Sequence, residues 1–378
     1  MSTPLNRRHF LAAGAATVLP ITAGRAATQT LTQPVTQSNA PASGAAAEKL
    51  VRLSANENPY GPGPAARAAI ASATNEACRY DSGDMQRLIA AVAAKEQVDK
   101  DRIVLGCGSG ELLNMLAFTY CERGQLVCAW PTFGQITAFA EKLGCEIRRI
   151  PLNADLQHDL SALGAAITAN TSLVYICNPN NPSSTVVDGA ALREFCTRQA
   201  AQTLVVVDEA YLDLADEGAT ESMIDLVRRG ANVVVLRTFS KIHGLAGLRI
   251  GYAVARADVA ARLRRNQMAL PSIIGTRAAF ASLGDQEYLK RTRSALLADR
   301  RRLCAACDEL QLRYAKPQGN FLYVHVGMPA DEFAQRMKAH QIQVGRVFEP
   351  LTDWCRITVG TSAETTACIA AIRAIVKT

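Results

Sequence analysis

Short apolar runs, each stopped by a polar or glycine-bearing turn, recur through the middle of this chain. They are Ile103-Val-Leu, Gln125-Leu-Val-Cys-Ala, Leu173-Val-Tyr-Ile, Leu204-Val-Val-Val, Val233-Val-Val-Leu and Ile250-Gly-Tyr-Ala-Val. A strand that is apolar on successive rather than alternate positions is covered on both faces, as in a parallel sheet. The runs alternate with helical segments, so the pattern predicts an α/β fold: a mainly parallel sheet with helices on both sides. After about Asp258 the pattern changes. A long basic helical stretch from Tyr288 to Leu310 leads to Asn320-Phe-Leu-Tyr-Val-His-Val and then Cys355-Arg-Ile-Thr-Val, which predicts a smaller α+β domain. A length of 378 residues agrees with two domains, and 49% hydrophobic residues suffice for a sizeable interior.

The N-terminus has a different composition. Asn6-Arg-Arg-His-Phe-Leu11 precedes an Ala-rich stretch to Gly24. The Arg7-Arg8 pair reads as a twin-arginine export signal over residues 1–26, which predicts a periplasmic protein; a basic tail with a chance arginine pair is the other reading. The stretch is too short and too weakly apolar for a stable membrane span. Residues 27–48, rich in Thr, Gln, Ala, Pro and Ser, read as a flexible linker. The formal net charge of +7 is modest. The clusters Arg262-Leu-Arg-Arg265 and Lys290-Arg-Thr-Arg293 read as solvated helix faces, and no nucleic-acid module is present, so no nucleic-acid partner is expected. The eleven cysteines form no paired CxxC set, so no metal site is expected, and Cys304-Ala-Ala-Cys307 reads as packing.

Candidate chemistry concentrates at three strand ends. In Arg237-Thr-Phe-Ser-Lys-Ile-His-Gly-Leu-Ala-Gly-Leu-Arg249 a lysine stands among hydroxyls, small residues and an arginine. A lysine amine forms a Schiff base with an aldehyde, while Ser240 and Arg249 suit a phosphate. Aldehyde and phosphate on one small molecule describe pyridoxal phosphate; alone, the run also fits a solvated basic loop. Asp208 closes Leu204-Val-Val-Val-Asp, at the sheet edge where open α/β folds bind ligands. There it can pair with a pyridine nitrogen, or simply cap a helix. Tyr211 follows, and Asn181 lies in the turn after Leu173-Val-Tyr-Ile-Cys; both suit the ring's phenolic oxygen, or a core aromatic and a plain Asn-Pro turn.

With these residues in view, the chain resembles the fold type I, class I/II aminotransferases, and within them the histidinol-phosphate aminotransferases, from about Leu53 to the C-terminus. The resemblance implies an aspartate-aminotransferase-like fold: an arm over 49–78 packed with the small domain, a large cofactor domain over 79–262 and a small domain over 263–378. It implies pyridoxal 5'-phosphate as cofactor, amino acids and 2-oxo acids as substrates, and a ping-pong transamination. Gly106-Cys-Gly-Ser-Gly-Glu111 resembles the phosphate-holding glycine turn, with Ser109 and Gly110 giving backbone amides. Phe133 falls where an aromatic stacks on the pyridine. Asn181 and Tyr211 go to the phenolic oxygen, Asp208 to the ring nitrogen, Lys241 to the aldehyde carbon, Ser240 and Arg249 to the phosphate. Tyr80 matches a tyrosine that reaches the neighbour's cofactor across a homodimer interface. Arg356, in Cys355-Arg-Ile-Thr-Val-Gly360, matches the arginine that grips the α-carboxylate, with Tyr60 and Arg346 near the substrate.

The chain departs from the family pattern in three places. Ser183-Ser184 replaces the usual Thr-Gly after the Asn-Pro turn. His243 stands where an apolar or aromatic residue is usual and reads as a packed core histidine, with a substrate contact that titrates near neutral pH as the other reading. The stretch Arg346 to Arg356 is shorter than its counterpart and carries Phe348 and Trp354. The short loop and the export signal favour an amino acid or related amine over a phosphorylated imidazole substrate. Rival readings are a decarboxylase or C–S lyase with the same cofactor, a non-catalytic envelope binding protein, and a nucleotide-binding α/β enzyme.

Overall fold

In the computed structural model, residues 50–122 and 124–376 are described. The expected signal (1–26) and linker (27–48) lie outside them. The strands, in chain order, are β1 (Val51–Arg52), β2 (Ile103–Gly106), β3 (Gln125–Trp130), β4 (Glu146–Pro151), β5 (Thr171–Cys177), β6 (Leu204–Asp208), β7 (Val233–Thr238), β8 (Gly251–Val254), β9 (Phe321–His325), β10 (Ile342–Gln343) and β11 (Trp354–Thr358).

Seven of these strands form one sheet in the order β2-β8-β7-β6-β5-β3-β4. β3, β4, β5, β6 and β7 run parallel, and β8 runs against both β2 and β7. The successive apolar positions do cover both faces. Val174, Ile176, Val205, Val207, Val233 and Val235 join one buried cluster, while Leu173, Tyr175, Leu204, Val206, Val234 and Leu236 join the opposite one. This two-residue alternation puts Tyr175 and Asp208 on the same face of neighbouring strands.

A second body of core gathers around the antiparallel pair β9–β11 and the helices Gln286–Glu309, Ala330–Ala339 and Ser362–Val376. The arm is stitched into it. β1 pairs with β10 in parallel, Leu53 is buried in this core, and its carbonyl accepts from Thr358 N at 3.0 Å. Tyr211, Leu214 and Ile242, from loops after β6 and β7, belong to the same cluster.

The Ser183-Ser184 departure has a local structural account. Ser184 sits at φ 64°, a left-handed conformation that costs a non-glycine residue on the order of 1 kcal/mol. Its hydroxyl accepts from the backbone amides of Gln318 and Gly319 at 3.2 and 2.8 Å, bonds a glycine cannot make. Among the described residues, no helix is long and apolar enough to cross a membrane, and no group of His, Cys, Asp or Glu is placed to hold a metal.

Candidate active site

Because β5, β6 and β7 are parallel and in register, with Cys177 opposite Asp208 and Asp208 opposite Leu236, their C-terminal ends open at one edge. A cavity of about 310 Å³ lies there. Its wall brings together Ser109, Gly110, Phe133, Asn181, Asp208 and Tyr211 with Ser240, Lys241, Arg249 and Arg356, contributed by six separate stretches of chain.

One end of the cavity is an anion cradle. The helix Ser109–Tyr120 begins at the wall, after Gly108 in a positive-φ conformation (80°). Helix N-termini present free N–H groups and a partial positive charge. The Arg249 guanidinium packs so tightly on Gly108 that a Cβ there would lie 2.3 Å from its Nη2. A Cβ on Gly251 would lie 2.5 Å from Ser109 N, so no side chain fits behind the turn either. Ser240 is held by Thr238, whose hydroxyl donates to it at 2.9 Å, and lies 3.4 Å from Arg249 Nη1.

The middle carries the acid and the amine. Asp208 is only 2% exposed; its Oδ1 accepts from Ala210 N at 3.1 Å and its Oδ2 from the Tyr175 hydroxyl at 3.1 Å. Burial pushes its carboxyl up to about 6, against those hydrogen bonds and the attraction of Lys241. Lys241 Nζ donates to the Asn56 carbonyl at 3.0 Å and lies 5.2 Å from the Tyr211 ring centroid. Burial, and then the Arg356 charge, bring its amine down to about 8, which makes it a usable base near neutral pH.

At the far end Arg356, 8% exposed on β11, donates from Nη1 to Asn181 Oδ1 at 2.6 Å and from Nη2 to the Ser54 carbonyl at 2.5 Å. Its buried Nε has no hydrogen-bond partner among the described residues. A buried guanidinium nitrogen without a partner is costly unless an incoming acceptor satisfies it. Since Asn181 turns its oxygen to Arg356, its NH2 is left to donate toward the cavity. Phe348 lies against Arg356, 5.0 Å from guanidinium carbon to ring centroid.

Three expected site residues do not line this cavity. Tyr60 packs against the second core, and the Arg346 guanidinium stacks over Phe348 at 4.4 Å, one ring away from Arg356. Tyr80 is fully exposed on this chain. His243 lines a different cavity; it is buried, its Nδ1 sits 2.7 Å from Ser282 Oγ, its ring packs on Phe239, and burial takes its imidazole down to about 4. Thr238, whose hydroxyl the sequence also offered to the phosphate, lines the wall too; so do Ala55, Asn56, Glu57, Gln135 and Cys177, which sequence reasoning missed. The cue for Asn56 and Glu57 was the polar run Asn56-Glu-Asn-Pro at the start of the arm.

The comparisons with known proteins agree with this geometry. The family model for aminotransferase class I and II matches residues 48–372. The histidinol-phosphate aminotransferase of Limosilactobacillus fermentum is 37% identical over 326 residues, which is 84% of this chain and 89% of that protein. An aromatic amino acid aminotransferase of Rhodococcus jostii is also 37% identical, over 85% of this chain and 88% of its own length. Among solved structures, the histidinol-phosphate aminotransferase of Sinorhizobium meliloti in complex with pyridoxal-5'-phosphate aligns with a TM-score of 0.81 at 28% identity, covering 87% of this chain and 91% of that one. A match of this extent, over a cavity that joins a buried acid, a lysine amine and an arginine, has one consequence: the chain belongs to the class I and II aminotransferases.

Proposed function

We propose that this aminotransferase moves an amino group from an amino acid, or a related amine, to a 2-oxo acid, with pyridoxal 5'-phosphate as cofactor. The observation that carries the reading is the shared cavity of Lys241, Asp208 and Arg356 with an anion cradle at one end. When bound, the cofactor supplies an aldehyde that takes up the amino group and a pyridine ring that withdraws electrons from the substrate Cα. The Ser109 and Gly110 amides, Ser240 and Arg249 hold its phosphate, and Phe133 flanks the ring. Asp208 holds a proton on the pyridine nitrogen: a buried carboxylate gains most from a cationic partner. Asn181 and Tyr211 donate to the phenolic oxygen. Lys241 would take the proton from the substrate Cα and deliver it to the cofactor carbon that had been the aldehyde, and Arg356 would grip the carboxylate through its Nε. A 2-oxo acid carries that carboxylate whatever the donor is, so Arg356 serves at least one half of the ping-pong cycle in every case.

Two further parts of the reading concern assembly and place. A second copy of the chain completes the phosphate site with Tyr80, whose full exposure here leaves it available to a neighbour. The Arg7-Arg8 pair and the Ala-rich stretch behind it support export to the periplasm by the twin-arginine route. For the donor, the named relatives span histidinol phosphate and aromatic amino acids; the choice of an unphosphorylated amino acid rests on the reading of the stretch from Arg346 to Arg356 as shorter than the histidinol-phosphate family pattern.

Borohydride reduction of the protein loaded with pyridoxal 5'-phosphate, then digestion and mass spectrometry, should find the pyridoxyl adduct on Lys241. An adduct elsewhere, or none, overturns the assignment. A donor screen followed by cofactor absorbance should show amino-group exchange; release of carbon dioxide or ammonia instead would point to a decarboxylase or lyase. Arg356→Ala should raise KM for amino and oxo acids roughly 100-fold, with cofactor absorbance unchanged. Unaltered KM values would remove Arg356 from substrate recognition.

A further inference from the structure

The geometry points to Asn56 as a positioning residue of this site: fixed by Thr358, it sets the direction in which the Tyr211 hydroxyl gives its hydrogen bond. This rests on the reading of Tyr211 as a donor to the cofactor and names the group that makes it one.

The argument is a count of donors and acceptors. Asn56 is 1% exposed and sits at φ 53°, a left-handed conformation that asparagine tolerates better than most residues. Its backbone N–H donates to Thr358 Oγ1 at 3.0 Å. Thr358, thus accepting, turns its own hydroxyl hydrogen to Asn56 Oδ1 at 3.1 Å. The Asn56 amide therefore has its oxygen on Thr358 and its NH2 on the other side, where Nδ2 donates to the Tyr211 hydroxyl at 3.1 Å. A phenol that accepts there has one hydrogen of its own to give, and the remaining direction is the cavity that Tyr211 lines. Polarity runs one way through the chain: Asn56 N–H to Thr358, Thr358 to the Asn56 side chain, Asn56 to Tyr211, Tyr211 to the site.

The backbone of Asn56 is fastened as well. Its carbonyl accepts from Lys241 Nζ at 3.0 Å and from Asn320 Nδ2 at 3.1 Å. Thr358 lies two residues beyond Arg356 on β11, so the same strand carries the carboxylate grip and the group that orients Tyr211. The charged and titratable groups around Tyr211 are Arg356, Cys177, Asp208 and Lys241; burial keeps the phenol protonated, and none of these groups changes in the variants below.

The test is the pH midpoint of the absorbance change of the protein loaded with pyridoxal 5'-phosphate, measured without substrate. Loss of a donor to the phenolic oxygen raises the proton affinity of the bound cofactor. Asn56→Gly keeps the left-handed backbone and the carbonyl and adds no charge; its midpoint should move up by roughly one pH unit. Thr358→Val keeps Asn56 and should move it up by less. In a Tyr211→Phe background neither change should shift the midpoint further, because the route runs through the phenol. Midpoints like wild type in both single variants, or shifts of the same size with and without the Tyr211 hydroxyl, overturn the inference. A wild-type protein that binds no cofactor would instead overturn the reading of the site itself.

Discussion

Lys241→Ala should lower amino-group exchange by at least about four orders of magnitude while leaving the fold and the phosphate cradle in place. On the proposed reading Lys241 combines two tasks, attachment of the cofactor and movement of the Cα proton, and among the described residues no other lysine lines the cavity. The variant should also show a stability effect in the cofactor-free protein. The folded amine titrates at about 8 and its ordinary value is 10.5, so the unfolded chain binds more protons between these values. Stability then rises with pH across that window, and at pH 7 the wild type bears the full cost of a buried cation. Apo Lys241→Ala should melt no lower than apo wild type at pH 7, with its advantage fading by pH 10.5. Turnover near the wild-type rate would end the proposal that Lys241 is the catalytic amine.

Asp208→Asn should lower kcat by roughly 1,000-fold and, in the apoprotein, raise stability. Its carboxyl is pushed up to about 6 from an ordinary 3.8 because it is buried. The native state therefore binds more protons than the unfolded one between pH 4 and 6. Stability falls as pH climbs through that window, and the loss persists above it. At pH 7 it amounts to roughly 3 kcal/mol, which the asparagine variant should recover. Melting curves of the two apoproteins should converge below pH 4. If apo Asp208→Asn were the less stable at pH 7, Asp208 would not be a carboxylate kept for a cationic partner. This is the stability cost that a site pays for chemistry: the carboxylate fits once the protonated ring nitrogen is beside it.

Much of this was legible in the chain. Six strands, the five interior ones and the buried edge strand β2, announced themselves because both their faces are covered, leaving unbroken apolar runs such as Leu204-Val-Val-Val. β4 did not: Glu146-Ile-Arg-Arg-Ile-Pro lies at the sheet edge and exposes its charged residues, so its composition reads as surface. The reversal of β8 was also hidden, since an apolar run carries no sign of direction. Arg356 was named by resemblance, while Asp208 stood out as an acid closing an apolar run and Lys241 as a lysine among hydroxyls, small residues and an arginine. Asn56 did not, because its meaning depends on Thr358 and Tyr211, which are distant in sequence. Tyr60 and Arg346 were named by resemblance; on this chain Tyr60 packs against the second core and Arg346 over Phe348, neither on the cavity wall.

The arm joins early residues to late ones, for Val51 pairs with Ile342 and Asn56 meets Thr358. Closing so long a loop is entropically costly and belongs late in folding. A ribosome that has not yet released β11 therefore holds a chain without Arg356, without an anchor for the arm, and without a finished wall around Lys241. The groups proposed to hold the coenzyme are thus all synthesised before the strand that carries the arginine proposed to grip the substrate, so the capacity to recognise a carboxylate is the last part of the site to be made.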